Sequence, residues 1–200
     1  MGALVFELVV VEAIPIMTTF TLMRHGQADF EAMEDRKLIG GCRDWIPLSS
    51  EGIRQTEEKA EKLRASEFDL ILASPMSRAL HTAAILSKAL DVPMHVEFDL
   101  HEWLPDLTFR FESFEPVQRA IEERNQHGNE WPTGETRTWE PFSQVRKRVR
   151  AVLERYTSAA RVLVVCHHTV IMACTGEKLP LAGSISWQFP FQDSPDSFPG

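Results

Sequence analysis

Three short apolar runs of this chain are each followed by basic side chains, and this pattern limits the possible folds more than any other feature. The runs are residues 20–23, 70–73 and 161–165, the last of which begins with Arg161 and is apolar from Val162 onwards. The basic residues after them are Arg24, His25, Arg78, His167 and His168. Apolar runs of this length are typical of buried strands in a parallel sheet. Ligands of open α/β sheets bind at the carboxyl ends of such strands, so the sequence predicts an anion site at one sheet edge.

Strand and helix patterns alternate along the chain, which favours βαβ units and a mainly parallel sheet. Strands are predicted at 19–23, 70–73, 94–98, 161–165 and 185–191. Helices are predicted from caps at Ser49 or Ser50 and at Ser74, and from an apolar stripe between Val145 and Tyr156. A short helix is expected at 169–175, with its start beside His167.

The chain has the length of one domain with short additions at both ends. Glu7 and Glu12 interrupt the apolar residues 1–16, and no Lys or Arg precedes them, so neither a secretory signal nor a membrane span is expected. We expect an N-terminal extension over 1–16, a single domain over 17–191 and a C-terminal tail over 192–200. Residues 103–134 carry aromatic side chains without a clear period, which predicts an inserted cap.

The net charge and the cysteine content limit the possible binding partners and the cellular compartment. A net charge of -8 argues against a nucleic-acid partner, which would require a basic face. A local basic pocket could still attract a small phosphorylated ligand. Cys42, Cys166 and Cys174 contain no CxxC pair and leave one cysteine over, which favours the cytoplasm. No membrane partner is expected, and the oligomeric state stays open, with a homodimer as one option.

Four motifs in order resemble the histidine phosphatase superfamily, which is also called phosphoglycerate mutase-like. They are Leu22–Gly26, Ser74–Ala79, Leu100–Glu102 and Val164–His167. The resemblance implies a three-layer α/β sandwich with a mainly parallel central sheet flanked by helices and a short inserted cap. It also implies a phosphatase in which His25 is the nucleophile, while Arg24, Arg78 and His167 bind the phosphate.

The chemistry of these side chains suits phosphoryl transfer. An Arg guanidinium makes paired, charge-assisted contacts to phosphate oxygens and stays charged at any relevant pH. A His can attack phosphorus through one ring nitrogen if its other nitrogen donates to a fixed acceptor. The leaving alkoxide needs a proton, and Glu102 is expected to be the general acid and then the base, because it follows the strand end at which the family places its acid. Neither a cofactor nor a metal is expected.

Several alternatives remain beside this interpretation. A cysteine phosphatase needs an Arg six positions after its Cys, and no cysteine here has one. A phosphoglycerate mutase and a non-catalytic phospholigand-binding protein are the competing functions. Gln27 and Glu31 stand where the family often has Glu and a phosphate-contacting Asn, so the segment from Gln27 to Asp44 is expected to take another path or serve another substrate. His168 either lines the site or shapes the turn.

Overall fold

A central five-stranded sheet organises the computed structural model, which describes residues 17–108 and 113–188. The strands are β1 (Thr19–Arg24), β2 (Leu70–Ala73), β3 (Met94–Val96), β4 (Arg161–Cys166) and β5 (Ser184–Gln188), in the spatial order β3-β2-β4-β1-β5. The first four are parallel, and β5 runs antiparallel to β1 at the sheet edge. The predicted extension over 1–16, the tail over 192–200 and Phe109 and Phe111 of the cap lie outside the described residues.

Helices cover both faces of the sheet. They are α1 (Phe30–Asp35), α2 (Ser50–Leu63), α3 (Ser77–Leu90), α4 (Phe114–Gln126), α5 (Phe142–Glu154) and α6 (His168–Thr175). Side chains of β4 alternate between two apolar clusters: Val162 and Val164 pack with α5 and α6, whereas Leu163 and Val165 pack with α2 and α3. This period of two places a buried layer on each side of the sheet. The predicted three-layer α/β fold is confirmed.

Local differences from the sequence prediction occur where polar side chains obscure the period. The cap contains helix α4, which was missed because its buried residues are only Ala120 and Arg124. Helix α3 begins at Ser77 rather than after a cap at Ser74. Strand β3 ends at Val96, and a 3₁₀ turn at Phe98–Leu100 follows it.

Two other predicted segments also differ in their bounds. The polar stretch before Pro47 contains α1 and a 3₁₀ helix at Gly40–Trp45. Strand β5 begins at Ser184, and the residues predicted to continue it beyond Gln188 lie outside the described part of the chain. Ser49 is the side-chain cap of α2, as one of the two expected serines.

The turn after β1 is held against the start of α2 by a close contact between two glycines. A Cβ atom at Gly26 would lie 2.6 Å from the Gly52 carbonyl oxygen, and one at Gly52 would lie 2.1 Å from the Gln27 carbonyl oxygen. The Ser49 amide donates to the same Gln27 oxygen at 2.9 Å. Only hydrogen atoms fit between these main-chain segments, so the packing fixes the position of the turn that carries His25.

We predict that Gly52→Ala destabilises the protein by about 1–3 kcal/mol, because the added methyl group must push main-chain atoms apart. Urea unfolding at neutral pH measures the loss. Gly41→Ala is the matched control, because a Cβ there meets nothing within 4 Å. The control is expected to keep or slightly raise the stability. Equal stabilities of the two variants would contradict the close contact.

Candidate active site

The carboxyl ends of β1, β2 and β4 open onto one cavity of about 360 Å³. The parallel register pairs Arg24 with Cys166 and Ala73 with Val165, so the residues that follow these strands leave the sheet at the same level. Four of the five predicted site residues line the cavity, namely Arg24, His25, Arg78 and Glu102. The fifth, His167, is fully buried beside His25, with 5.2 Å between the ring centroids. The structure therefore brings all five together.

Hydrogen bonds determine the tautomer of His25. Its Nδ1 lies 2.6 Å from the carbonyl oxygen of Gly26. A carbonyl oxygen only accepts, so Nδ1 carries the hydrogen and Nε2 keeps its lone pair. The Nε of Arg78 donates to this Nε2 at 3.2 Å. The imidazole is thereby prepared to react through Nε2.

The protonation state of His25 agrees with that role. Burial lowers the pKa of His25 to about 3, with further lowering by the positive charges of Arg78 and Arg24 and an opposing contribution from the hydrogen bond to Gly26. The ring is therefore neutral at physiological pH, and its lone pair is free of a proton. The positive charge of the site belongs to the arginines.

Arg78 is positioned by the first turn of α3. Its Nη1 donates to Oδ1 of Asp44 at 2.8 Å, and its Nη2 lies 3.2 Å from the sulfur of Met76. Asp44 also lines the cavity. Sequence reasoning missed Asp44, which lies in a polar segment without a recognisable motif. A bound anion would share or replace this ion pair.

Arg24 is the last residue of β1, and only part of its guanidinium is hydrogen-bonded within the described residues. Its Nη1 donates to the Leu179 carbonyl oxygen at 2.9 Å, while its buried Nε has no hydrogen-bond partner in the described part of the chain. Burial lowers the pKa of Arg24, and the negative charge of Glu102 acts in the opposite direction. Buried polar groups are normally hydrogen-bonded, so a free N–H on this cation suits an anionic ligand.

His167 is held by a serine. Its Nε2 lies 2.7 Å from Oγ of Ser74, and its buried Nδ1 has no partner among the described residues. Burial and the charge of Arg78 lower the pKa of His167 well below its ordinary value, so the ring is neutral. Ser74 thus orients this imidazole instead of capping α3.

Glu102 projects into the cavity from the loop after the 3₁₀ turn. Its Oε1 accepts from the Trp103 amide at 2.8 Å, and its Oε2 accepts from the Thr169 amide at 3.5 Å. The carboxyl group is therefore fixed between its own loop and the start of α6. This placement faces the arginines across the cavity.

An internal ion pair holds the loop that carries Glu102. Arg148 donates through Nε to Glu140 at 2.7 Å, and through Nη1 to the carbonyl oxygens of Asp99 and His101. The side chains of Arg148 and Glu140 are only 11% and 5% exposed. Sequence reasoning missed both. The available signal was that Arg148 lies three residues after Val145, on the buried face of the predicted helix.

The structure also places the residues whose roles the sequence left open. Gln27 and His168 line the cavity, whereas Glu31 is exposed on α1 and does not. Burial and the charge of Arg24 lower the pKa of His168, although the hydrogen bond to Leu179 and the charge of Glu102 oppose them. The carboxylate of Glu31 thus stays away from the anion site.

Competing chemistry has less support from the described residues. Cys166 is buried, and burial raises the pKa of its thiol. No group of three or more His, Cys, Asp or Glu residues within 17–108 and 113–188 is arranged to hold a metal ion. None of the helices in these ranges combines the length and apolar character that a membrane crossing requires.

The fold and this set of side chains define an α/β protein whose cavity can bind an anion between arginines, beside a neutral histidine. The family model of the histidine phosphatase superfamily (branch 1) matches residues 20–194. The chain belongs to this superfamily, and the predicted family is confirmed.

Individual relatives are phosphatases. The chain is 29% identical to the uncharacterized phosphatase PhoE of Bacillus subtilis, over 80% of this chain and 77% of the relative. It is 26% identical to the adenosylcobalamin/alpha-ribazole phosphatase of Salmonella typhimurium, over 84% of this chain and 83% of the relative. These relatives support the predicted phosphoric monoester hydrolase.

Solved structures share the fold. A mycobacterial glucosyl-3-phosphoglycerate phosphatase in complex with VO3 superposes with a TM-score of 0.65 at 19% identity, covering 84% of this chain and 90% of that structure. An Escherichia coli putative alpha-ribazole-5'-P phosphatase superposes with a TM-score of 0.60 at 22% identity, covering 84% of this chain and 89% of that structure.

We predict that His25 makes the protein less stable in acid. Its pKa falls from the ordinary 6.5 to about 3 on folding. Between these two pH values the imidazole is protonated in the unfolded chain but not in the folded chain. The stabilisation is complete above pH 6.5 and is lost as the pH falls towards 3, by up to about 1.4 kcal/mol per pH unit for one proton.

Urea unfolding of wild type and His25→Gln between pH 7 and 4.5, in buffers without phosphate, measures this effect. The free energy of unfolding should fall less steeply in the variant. His127→Gln, at an exposed position after α4, should follow the wild-type curve. Parallel curves for wild type and His25→Gln would contradict the low pKa of His25.

Proposed function

We propose that this protein hydrolyses small phosphomonoesters through a covalent phosphohistidine at His25. The observation that carries the proposal is the orientation of His25. Its Nδ1–H donates to the Gly26 carbonyl, and its neutral Nε2 is directed to the cavity beside Arg78. Binding alone would require neither a neutral nucleophile nor a nearby acid.

In the first step, Nε2 of His25 forms a bond to phosphorus while the bond from phosphorus to the ester oxygen breaks. Arg24 and Arg78 contact the equatorial oxygens and neutralise their charge in the transition state. His167 donates a further hydrogen bond to the phosphoryl group through Nδ1, the nitrogen that has no partner among the described residues. Glu102, in its acid form, delivers a proton to the leaving alkoxide.

In the second step, water takes the place of the departed alcohol. Glu102, now ionised, accepts a proton from this water as its oxygen attacks the phosphorus of the phosphohistidine. The N–P bond breaks, and His25 returns to its neutral form with inorganic phosphate as product. One carboxyl group therefore serves both steps and regains its proton at the end.

The remaining features support a single enzymatic domain over residues 17–191 in a reducing compartment such as the cytoplasm. Cys42, Cys166 and Cys174 are all free thiols. The net charge of -8 supports a small phosphorylated substrate rather than a nucleic acid as the partner.

We predict that radiolabelled substrate leaves label on His25 in rapidly quenched samples. A phosphohistidine is acid-labile, so brief acid treatment should release the label. His25→Ala should abolish both labelling and turnover, whereas His95→Ala, at an exposed position on β3, should retain them. Acid-stable label or near wild-type turnover of His25→Ala would contradict the proposal. Isomerised ester formed faster than inorganic phosphate would point to a mutase.

We further predict that Glu102→Gln slows phosphoenzyme formation by about 10² to 10⁴ with an alkyl phosphate. With p-nitrophenyl phosphate the loss should be far smaller, because p-nitrophenolate leaves without a proton. Single-turnover kinetics isolate this step from hydrolysis of the phosphoenzyme. Glu57→Gln is the matched control, since Glu57 is exposed on α2. Equal losses with both esters would mean that Glu102 only orients the site.

A further inference from the structure

Beyond the phosphate end, the cavity wall is mainly apolar. The side chains come from α1, from the loop after Glu102 and from α4; they include Phe30, Met33, Trp103, Leu104, Phe114 and Val117. Met33 and Trp103 are buried and form the floor, whereas Phe30 and Phe114 are 56% and 52% exposed and stand at the mouth. A leaving group bound at the phosphate end would therefore contact apolar surface from several directions.

Charged groups are few in the outer part of the cavity. Asp44 is paired with Arg78 at 2.8 Å. Arg43 is the additional cation among the described cavity residues, and its guanidinium carbon lies 5.4 Å from the ring centroid of Phe114. This cation–π contact joins the 3₁₀ helix to α4 across the mouth. It holds the Phe114 ring as part of the wall.

The size of the cavity indicates how large the leaving group is. Its volume of about 360 Å³ lies within the range of roughly 300–1,000 Å³ that encloses drug-sized ligands. A three-carbon acid attached to the phosphate would leave much of this space unfilled. Its carboxylate would find only Arg43 as a further cation among the described cavity residues, and most of the wall that it faced would be apolar.

We propose that the leaving group is an uncharged alcohol that carries a flat, mainly apolar ring system. Such a ring can lie between the buried floor at Trp103 and the aromatic mouth at Phe114, where stacked or edge-to-face contacts add to apolar burial. Phe114, held by Arg43, is thereby a specificity-determining residue. This inference rests on the proposed hydrolysis of phosphomonoesters and names the substrate class of that reaction.

A panel of three primary alkyl phosphates tests the inference, because they share the need for a protonated leaving group. They are 2-(2-naphthyl)ethyl phosphate, ethyl phosphate and 3-phosphoglycerate. We expect kcat/KM for the naphthyl ester to exceed those of the other two by at least the roughly 10- to 200-fold that a single added methylene group is worth in a hydrophobic pocket. Equal values, or a preference for 3-phosphoglycerate that Arg43→Gln removes, would overturn the inference.

Phe114→Ala tests the residue itself. The ring is half exposed, so its removal spares the core, and we expect the naphthyl-to-ethyl ratio of kcat/KM to fall about tenfold, mainly through KM. Phe98→Ala is the matched control, because Phe98 is 72% exposed and lies outside the cavity. An unchanged ratio in Phe114→Ala would remove Phe114 from the specificity site.

Binding separates failure of this inference from failure of the proposed function. Calorimetry compares 3-(2-naphthyl)propylphosphonate with propylphosphonate, neither of which can be hydrolysed. Tighter binding of the naphthyl compound without turnover of any ester, p-nitrophenyl phosphate included, would support the ligand class and reject the phosphatase. Turnover of all esters with equal binding of both phosphonates would retain the phosphatase and reject the ligand class.

Discussion

Strand β4 lies between β1 and β2 and pairs with both in parallel, and the main chain continues this pairing beyond the strands. The His25 amide donates to the Cys166 carbonyl oxygen at 3.1 Å, and the Ser74 amide donates to the Val165 carbonyl oxygen at 3.0 Å. These bonds align the turns that carry His25, Ser74 and His167. A shift of one residue in either pairing would turn the side chains to the opposite face. The site therefore depends on strand register before it depends on any side-chain contact.

The positive charge around the cavity lies on arginines, whereas the two buried histidines are neutral. Burial keeps both His25 and His167 neutral, while Arg24 and Arg78 supply positive charge that does not vary near neutral pH. An imidazolium could not attack phosphorus, and a neutral ring alone could not attract a phosphate. The division of these two properties between different side chains is what the proposed phosphoryl transfer requires.

The sequence predicts the strand tips well because their signals are local. An apolar run followed by Arg24 and His25 identifies a strand end without knowledge of its neighbours, and the order of motifs indicates the fold. The remaining features depend on tertiary contacts. Ser74 has the pattern of a helix cap, yet it contacts His167, which is 93 residues away. Helix α4 was missed because it buries a charged Arg124, which lies 4.5 Å from the ring centroid of Trp103. Contacts of this kind, between residues distant in sequence, can be identified only from the three-dimensional structure.

The acceptor that orients His25 is a main-chain carbonyl rather than a side chain. Every residue type has a main-chain carbonyl oxygen, so no substitution at Gly26 removes this acceptor directly. Mutation can disturb the contact through the two glycines that hold the turn, because a side chain at Gly26 or Gly52 would collide with main-chain atoms. Selection on the position of His25 therefore also acts on two residues that have no functional group, and a search for tolerated substitutions should find few at Gly26 and Gly52.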